Sequence, residues 1–575
     1  MDRLNISTAR FGAPDIRRPL SPPAQDPWYW TLLILIPYLA GLFTLGLALR
    51  GNVGFPLDDS WIHQVIARNL VQHHSWGFTP GVTSSGSSST LWTFVLAIQY
   101  LLFPESNPVL FPLALNSFLL MTCGILLWRM ARQDGLALPE SLALGMLPGF
   151  SGNLLWLAFT GMEHILFLAL SLLSVALWFC RTRSKTNALA CGISLGALAL
   201  TRPEGLALCV CLPLSYRWCG RKRNDALVAG VTAAVLFLPS LLLNLKTSGS
   251  LLPMTLRGRR YMYSGQETLH VGRSSFRGLI LNTYKDIVAH HFFHIHTGWV
   301  AASFVLLSFI GLFALLLRMP SRLSVVCAWA VLDYVAYCVT LPEPGHGGRY
   351  QPFVLLLFPP LMAIGVMALV RLALARTRKP LFANFLAWGS LFVFAFVTGL
   401  TLPRWKSALH DSIATINSTH VKLARWINQK CPPGTPVAVF DIGAIGYYAH
   451  IHLIDLGGLV DRNYLPYLVH RRVPDYLAER GIEYVVLPHT GTDTHFGDLL
   501  NLLHNPALRL VPIHTVGADP VQWQNGFAYT GNAHRQQTLY RIEWIPSAEQ
   551  NLATTERDTR IAAAAAAQDS PVQPR

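Results

Sequence analysis

Charged residues are scarce in this chain of 575 residues: 13% of them are charged, whereas 52% are hydrophobic. Acidic residues are the rarer sign, 30 Asp and Glu against 45 Lys and Arg, which gives a formal net charge of +15. A soluble globular protein cannot bury so large an apolar share, so the composition excludes that class. The chain also lacks a glycine-rich nucleotide fingerprint and repeats of solenoid length.

Long apolar runs are what the sequence has in abundance. They lie at residues 31–49, 108–128, 142–158, 162–179, 226–243, 299–317, 323–339, 353–374 and 381–400. Two half-length runs, 188–200 and 206–214, flank the motif TRPEG, and we therefore expect about eleven transmembrane helices. The first run follows a polar segment and continues at spanning length, so we expect no cleavable signal peptide. The predicted fold class is an α-helical polytopic membrane protein.

Basic residues in alternate short loops predict the orientation. They place the N-terminus in the cytoplasm, provided that residues 90–103, TLWTFVLAIQYLLF, form an interfacial helix instead of a span. The loop that follows the first span then faces outward. The net charge mostly reflects this cytoplasmic anchoring, so we expect membrane lipids and no nucleic acid as partners.

Four parts of the chain are predicted. We expect residues 1–27 to form a disordered cytoplasmic arm, 28–402 a transmembrane domain, 403–546 a small extracytoplasmic α/β domain, and 547–575 a disordered tail. In the α/β domain we expect an amphipathic helix at 412–429, strands at 437–440, HLIDL, IEYVVL and TLYRIEWI, and a helix near 475–480. Of the nine cysteines only Cys431 lies in this domain, so no disulfide forms within it.

Two adjacent carboxylates, Asp58 and Asp59, stand at the start of FPLDDSWIHQVIARNL, just after the first span. The apolar spacing that follows predicts a helix on the membrane surface with both aspartates in its first turn. An acidic residue there is an ordinary helix cap, but a cap needs one carboxylate and not two. We therefore interpret the pair as functional.

Three further charges lie at membrane boundaries. Glu163 in FTGMEHILF stands at the outer end of a span, where an acidic residue indicates a functional site or an ion pair. Arg202 and Glu204 in ALTRPEG lie between two half-length runs, a position tolerated where polar groups line a cavity or pair with each other. Mutual pairing of these two is the interpretation that we favour.

The outward loop 246–296 carries basic residues, which the positive-inside rule places on the cytoplasmic side of a membrane. Basic residues on the outer side therefore indicate an anionic ligand such as phosphate, or an anionic lipid surface. They are Lys246, Arg257, Arg259, Arg260, Arg273, Arg277 and Lys285. A second candidate is EPGHGGRYQP, whose glycines let the backbone approach a ligand and present His346, Arg349 and Tyr350 at the top of a span.

Two other motifs are read as structural. The run HHFFHIH, with His290, His291, His294 and His296, resembles a metal motif, but we favour an interfacial aromatic and histidine belt. In FDIGAIGYY, Asp441 ends a strand and the chain turns on Gly443. This pattern is usually a strand-to-helix junction, although the same edge of a sheet binds substrates in other proteins.

Taken in order, the motifs resemble the GT-C superfamily of membrane glycosyltransferases, in particular the bacterial branch that includes the mycobacterial terminal arabinofuranosyltransferase. The matching segments, spread over residues 57–461, are LDDSWIHQVIARNL, GFTPG, STLWTFVLA, GMEHILF, ALTRPEG, GSLLPMT, GGRYQPFVLLLFP and DIGAIGYYAHIHLIDLGGLVD. The sequence departs from the family pattern at Met254, where we expect asparagine, and at Arg259, where we expect lysine. The serine-rich GVTSSGSSST also differs and leaves the acceptor open.

The resemblance implies a transferase that moves a sugar from a polyprenyl-phosphate carrier to a glycan, lipid or protein acceptor at the outer face of the bacterial cytoplasmic membrane. A carboxylate takes the proton of the attacking hydroxyl, and cationic groups stabilise the departing phosphate. We expect inversion, with Asp58 as the base and Asp59 orienting the acceptor or a metal. Substrate binding is expected of Glu163, Arg202, Glu204, Arg259, His346, Arg349 and Tyr350.

The sequence establishes no cofactor besides the polyprenyl-phosphate sugar that serves as donor substrate, and it leaves a divalent metal open. The main alternative is a flippase or other transporter of the lipid-linked sugar. Transporters usually place polar residues near the bilayer midplane and show paired repeats, whereas here the acidic residues cluster at one surface. A non-catalytic scaffold that presents the α/β domain is the second alternative.

Overall fold

The structure is a computed structural model, and it describes residues 27–180, 182, 184–251, 253–262, 298–340, 345–374, 380–489, 500–503, 505–517 and 536–545. The predicted N-terminal arm up to residue 26, the histidine run and the predicted tail lie outside these residues. So does most of the basic outward loop.

Helices form the larger part of the molecule. In chain order the first eleven are α1 (Tyr29–Gly46), α2 (Asp59–Gln72), α3 (Thr90–Leu102), α4 (Leu110–Gln133), α5 (Leu138–Met146), α6 (Gly152–Ala158), α7 (His164–Trp178), α8 (Lys185–Thr201), α9 (Gly205–Leu214), α10 (Arg223–Ser248) and α11 (Met254–Met262). The next six are α12 (Gly298–Leu316), α13 (Arg322–Thr340), α14 (Pro352–Leu374), α15 (Pro380–Gly399), α16 (Leu402–Ile416) and α17 (Lys422–Lys430). A turn of π-helix, Asn417–Val421, joins the last two.

The membrane part is a multi-pass bundle. Among the described residues, six helical runs are long and apolar enough to cross a bilayer, and the bent pair α5 and α6 raises this to seven. Helices α3, α7 and α9 are apolar but shorter. The exact number of spans stays a prediction. Helix α3 has 13 residues, against about 20 for a span, which agrees with the interfacial helix expected at residues 90–103.

Helix α1 shows how the spans sort their side chains. Its buried residues recur at the helical spacing of three and four and face the bundle: Ile34, Tyr38, Gly41 and Leu45. The apolar side chains on its other side are exposed: Leu32, Ile36, Leu39 and Phe43. An apolar surface of this kind is stable against lipid and not against water.

The C-terminal part is a small α/β unit. Its strands are β1 (Pro436–Val439), β2 (His452–Asp455), β3 (Tyr484–His489), β4 (Leu508–Gly517) and β5 (Gln536–Trp544), in the order β2-β1-β3-β5-β4. Strand β1 is parallel to both β2 and β3, whereas β5 is antiparallel to β3 and to β4. Short helices α18 (Ile442–Tyr448), α19 (Leu465–Val469) and α20 (Val473–Glu479) complete it. Strand β4 was not expected from the sequence.

The carboxyl ends of the parallel strands lie at one edge of this sheet, and that edge faces the membrane part. Residues of α2 and α18 share one apolar cluster, in which Ile66 of α2 and Ile445 of α18 are fully buried. The Trp61 ring lies 4.8 Å from the Tyr447 ring, centroid to centroid. Because ligands of α/β sheets bind beside the carboxyl ends of strands, this edge brings a second set of polar residues to the predicted site.

Candidate active site

Asp58 and Asp59 are adjacent in sequence but have different partners. The two carboxylate oxygens of Asp58 accept hydrogen bonds from the backbone N–H groups of Gly443 and Ala444, each at 2.7 Å. Asp59 Oδ2 instead accepts from Arg349 Nη2 at 2.5 Å. Successive residues of a helix point about 100° apart, so one carboxylate contacts the α/β unit and the other contacts the membrane bundle.

Gly443 is required at this contact. A Cβ atom added there would lie 1.9 Å from the backbone oxygen of Asp58, a distance that no side chain tolerates. The glycine therefore lets α18 approach the start of α2 closely enough for its amides to reach Asp58. The junction predicted to be structural at FDIGAIGYY is thus in direct contact with one of the predicted catalytic residues.

The guanidinium of Arg349 is buried, with 3% of the side chain exposed, and is only partly satisfied. Its Nη2 also donates to the Tyr350 hydroxyl at 3.3 Å, and its Nη1 faces the Met162 sulfur at 3.3 Å, which is a weak acceptor. Its Nε has no hydrogen-bond partner among the described residues. A buried cation with donors to spare is costly unless a ligand takes them.

The turn before Arg349 depends on glycine for a reason other than the one expected. Gly347 has a positive φ of 65°, and a Cβ atom there would lie 2.2 Å from the Trp156 ring. The glycine thus allows the turn to pack on a buried indole, and this packing holds Arg349 in place. Next to it, the Tyr350 ring stacks on Tyr337 with 5.7 Å between centroids. His346 is half-buried in the same turn.

The structure brings Glu163, Arg202 and Glu204 together. Arg202 Nη1 lies 2.9 Å from Glu163 Oε1, and Arg202 Nη2 lies 3.3 Å from Glu204 Oε1. The Tyr337 hydroxyl is also bonded to Arg202 and to Glu204. The pairing of Arg202 with Glu204 that we favoured is therefore present, and Glu163 is ion-paired as well.

His63 is a residue of this site that the sequence analysis did not single out. Its Nε2 lies 3.6 Å from Glu163 Oε2, and its Nδ1 lies 3.0 Å from the Ser87 hydroxyl. Burial lowers the pKa of His63, although Glu163 and Asp59 oppose that shift. His63 follows Asp59 by four residues on α2, and this spacing on one helix face was the available signal. Through Ser87 it fixes the serine-rich loop against the site.

A second cluster lies beside Asp58. His420 Nε2 is 3.3 Å from Asp441 Oδ2, and one ligand atom from each of Asp58, His420 and Asp441 lies within 4.8 Å of the other two. Burial and the neighbouring Asp441 raise the pKa of Asp58 to about 6, against the opposing effects of His420 and the two amides. His420 was missed because nothing in its local sequence distinguishes it from other helix residues.

Arg259 is part of α11, and its side chain lies outside the described part of the molecule. The helix itself rests on the α/β unit, because a Cβ atom on Gly258 would lie 2.4 Å from the Gly458 oxygen. Arg257 Nη1 donates to the Ser248 oxygen at 3.3 Å. The start of the basic loop thus lies against the loop that follows β2.

Comparison with known proteins identifies the fold. ArnT from Cupriavidus metallidurans in the apo state has a TM-score of 0.52 and 14% identity over 89% of this chain and 98% of that one. ArnT of the same organism bound to undecaprenyl phosphate gives a TM-score of 0.50, again with 14% identity and the same coverage. An Archaeoglobus fulgidus oligosaccharyltransferase tethered to an acceptor peptide gives 0.51, with 12% identity over 84% of this chain and 73% of that one.

These similarities show that the chain has the GT-C glycosyltransferase fold, with a small C-terminal sheet domain. Residues 411–545 match a family described as a domain of unknown function, DUF8728. No curated protein matches the sequence.

Proposed function

We propose that this protein is a glycosyltransferase that moves a sugar from a polyprenyl-phosphate carrier to an acceptor hydroxyl at the outer face of the bacterial cytoplasmic membrane. The GT-C fold supports this proposal, as does the undecaprenyl phosphate bound by one of the similar structures. The observation that carries it is the contact of Arg349 with Asp59. In this contact a buried cation, whose Nε has no hydrogen-bond partner among the described residues, lies beside a carboxylate.

Arg349 is proposed to bind the carrier phosphate. Its Nε, which has no hydrogen-bond partner among the described residues, lies on the same side of the guanidinium as Nη2, the nitrogen that contacts Asp59. These two nitrogens suit the two oxygens of a phosphate that binds in a forked manner. Arg202 is already engaged with two carboxylates and has less to offer an anion. Tyr350, His346 and Arg259 are proposed as further contacts to the donor.

Asp59 is proposed to take the proton. The sequence favoured Asp58, and that assignment stays a prediction. Both oxygens of Asp58 are bonded to backbone amides, whereas 27% of the Asp59 side chain is exposed next to the proposed phosphate site. A phosphate that bonds to Arg349 competes with Asp59 for its donors. Arrival of the carrier would therefore weaken the bond of Arg349 to this carboxylate and make it a stronger base.

The reaction is a single displacement. The acceptor oxygen forms a bond to the anomeric carbon, and its proton passes to Asp59. The bond from that carbon to the phosphate oxygen breaks, and the electron pair leaves with the polyprenyl phosphate, whose charge Arg349 stabilises. One displacement inverts the anomeric centre.

A buried network next to this site is proposed to hold its residues in position; the network consists of Glu163, Arg202, Glu204 and His63. Their ion pairs and hydrogen bonds hold α2, α7 and the break between α8 and α9 in fixed positions. Such a rigid surround keeps a base and a cation in register with the substrate. Acceptor hydroxyls would enter between the serine-rich loop and the carboxyl edge of the sheet.

The proposed identity of the sugar donor is based on the sequence motifs. We propose a pentosyl or hexosyl donor, with the mycobacterial terminal arabinofuranosyltransferase branch as the first donor chemistry to test. The catalytic loop and the α/β domain are proposed to share the outer compartment. No described feature favours a transporter over a transferase.

The experiment is to purify the protein with its bound lipid, identify the sugar on that lipid by mass spectrometry, and supply the labelled carrier in proteoliposomes. A transferase releases polyprenyl phosphate in step with glycosylated acceptor, and Asp59→Asn stops both. A flippase would move the carrier across the bilayer with its sugar still attached. That outcome, or the absence of any polyprenyl lipid in the preparation, would overturn the proposal.

A further inference from the structure

We propose that Asp58, His420, Asp441 and Gln537 form a site for a divalent metal ion that joins the α/β domain to the start of α2. The four residues come from four places in the fold: the loop before α2, the π turn, the end of β1, and β5. The proposal does not depend on the transferase reaction. It rests on the arrangement of hydrogen-bond acceptors described next.

The spacing of the side chains fits an ion. Ligands about 2.0 to 2.4 Å from a metal lie at most about 4.8 Å apart, and those of a tetrahedral site with bonds of about 2.1 Å are about 3.4 Å apart. Here the ligand atoms of Asp58, His420 and Asp441 all lie within 4.8 Å of one another. His420 Nε2 lies 3.3 Å from Asp441 Oδ2, which is near the tetrahedral value.

The tautomer of His420 follows from its other nitrogen. The Thr419 hydroxyl donates its one hydrogen to the Thr415 oxygen at 2.6 Å, so it must accept at the 2.7 Å contact with His420 Nδ1. Nδ1 therefore carries the proton, and the Nε2 of the neutral ring presents a lone pair to the Asp441 carboxylate. A histidine fixed through Nδ1 in this way is the usual arrangement of a metal ligand.

Protonation of the His420 ring would not satisfy all the hydrogen-bonding groups of this cluster, because of the position of Gln537. Its carboxamide nitrogen lies 2.7 Å from Asp441 Oδ2 and 3.1 Å from His420 Nε2, so a protonated ring would set one donor against another. Its oxygen is fully buried and has no hydrogen-bond partner among the described residues.

Turning the amide over places that oxygen against the Asp441 carboxylate instead. In either orientation one contact is repulsive. A cation between the groups removes the conflict, because each of the four side chains then offers an acceptor to it.

The ligand set indicates the kind of ion. One imidazole, two carboxylates and an amide oxygen suit zinc or manganese. The two amide bonds to Asp58 orient its carboxylate in the manner of an outer ligand shell. Four protein ligands leave no open position, which is typical of a structural site. Its effect would be to fix the residue before Asp59 and so to position that carboxylate.

The test is the metal content of the full-length protein, purified in detergent without chelator. About one equivalent of zinc or manganese per chain is expected for a tightly held structural ion. His420→Ala and the nearly isosteric Asp441→Asn should each lower this content at least tenfold. His450→Ala, which removes an exposed histidine of the same domain, should leave it unchanged.

A second measurement covers variants that fold poorly. The wild-type protein is stripped with chelator, and its thermal unfolding is followed as zinc or manganese is added. An ion that binds the folded state raises the midpoint. If neither metal is retained by, nor shifts the midpoint of, the wild type, or if both effects persist in Asp441→Asn, the site does not exist. Neither readout uses sugar transfer, so this failure would leave the proposed function standing.

Discussion

Arg349 and Asp59 lie 290 residues apart in the chain and meet at 2.5 Å. The contact joins the start of α2 to the turn before α14, and we propose that the carrier phosphate binds beside it. The guanidinium is buried and only partly satisfied by the described residues, whereas the carboxylate is part-exposed.

Replacing Arg349 with glutamine should weaken donor binding more than it affects folding. Hydrogen bonds to a charged group contribute about 1.5 to 3 kcal/mol, so loss of the phosphate contact should raise the Kd for the carrier by roughly tenfold to a hundredfold. Arg349→Lys keeps the charge but loses the forked pair of donors, so its Kd for the carrier should lie between those of the wild type and Arg349→Gln. Binding of a labelled polyprenyl phosphate to detergent-purified protein measures this. An unchanged Kd in both variants would remove Arg349 from the phosphate site.

Glu163 and Glu204 provide a matched pair, since both are bonded to Arg202. The Glu163 side chain is 2% exposed and that of Glu204 is 22% exposed. Removing one partner of a buried ion pair typically costs about 3 to 5 kcal/mol because the other charge is left uncompensated, and the cost falls as water gains access. Glu163→Gln should therefore lower the unfolding midpoint clearly more than Glu204→Gln. Equal midpoints would show that burial of this network does not determine its contribution.

Asp455, at the end of β2, should make the α/β domain less stable as the pH rises. Burial raises the pKa of Asp455 to about 6, from its ordinary value of 3.8, although amides of its loop oppose the shift. A raised folded-state pKa means that folding favours the neutral form. That contribution is complete below about pH 4 and is lost as the pH passes through about 6.

At one pKa unit per 1.36 kcal/mol, the loss is about 3 kcal/mol at most. Thermal unfolding of the full-length protein between pH 4 and 7, compared with Asp455→Asn, measures it. The difference in stability between the two proteins should change across this range, and a constant difference would contradict the assignment.

The basic-loop pattern predicts that α2 and the α/β domain share the outer compartment. Cysteines introduced at the exposed positions His73 and His450 should both react with an impermeant reagent in intact cells or spheroplasts. The exposed Cys211 lies on α9, a short apolar helix, so labelling is scored against the parent protein. Labelling at only one of the two introduced positions would contradict this topology.

Much of the fold could be predicted from periodicity, because long apolar runs and short alternating strands leave a direct signal in the sequence. Strand β4 could not be predicted, since most of its residues are exposed or part-exposed and one of them is Pro512. Of the candidate site, Asp58, Asp59 and Arg349 could be recognised as charges next to long apolar runs. His63 and His420 could not be recognised, because their partners are distant in sequence. Glu163 lies 100 residues after His63, and Gln537 lies 117 residues after His420, so only the tertiary structure brings each pair together.

The number of spans and the roles of the two aspartates illustrate the same limit. Half-length apolar runs such as α9 do not reveal from composition whether they cross the bilayer. Asp58 and Asp59 are chemically identical neighbours, and only their contacts distinguish them. Family position pointed to Asp58, whereas the hydrogen bonds of Asp58 to α18 point to Asp59.

The most direct test of the account compares Asp59→Asn with Asp58→Asn in one reconstituted transfer assay. Asparagine has nearly the shape of aspartate but cannot take the proton, and loss of a general base costs about a hundredfold or more in turnover. We predict that loss for Asp59→Asn, with carrier binding retained, and a decrease of less than about tenfold for Asp58→Asn, because its remaining amide oxygen still accepts from α18. Near-normal turnover of Asp59→Asn beside an inactive Asp58→Asn would contradict the assignment, and activity of the double variant would refute the mechanism.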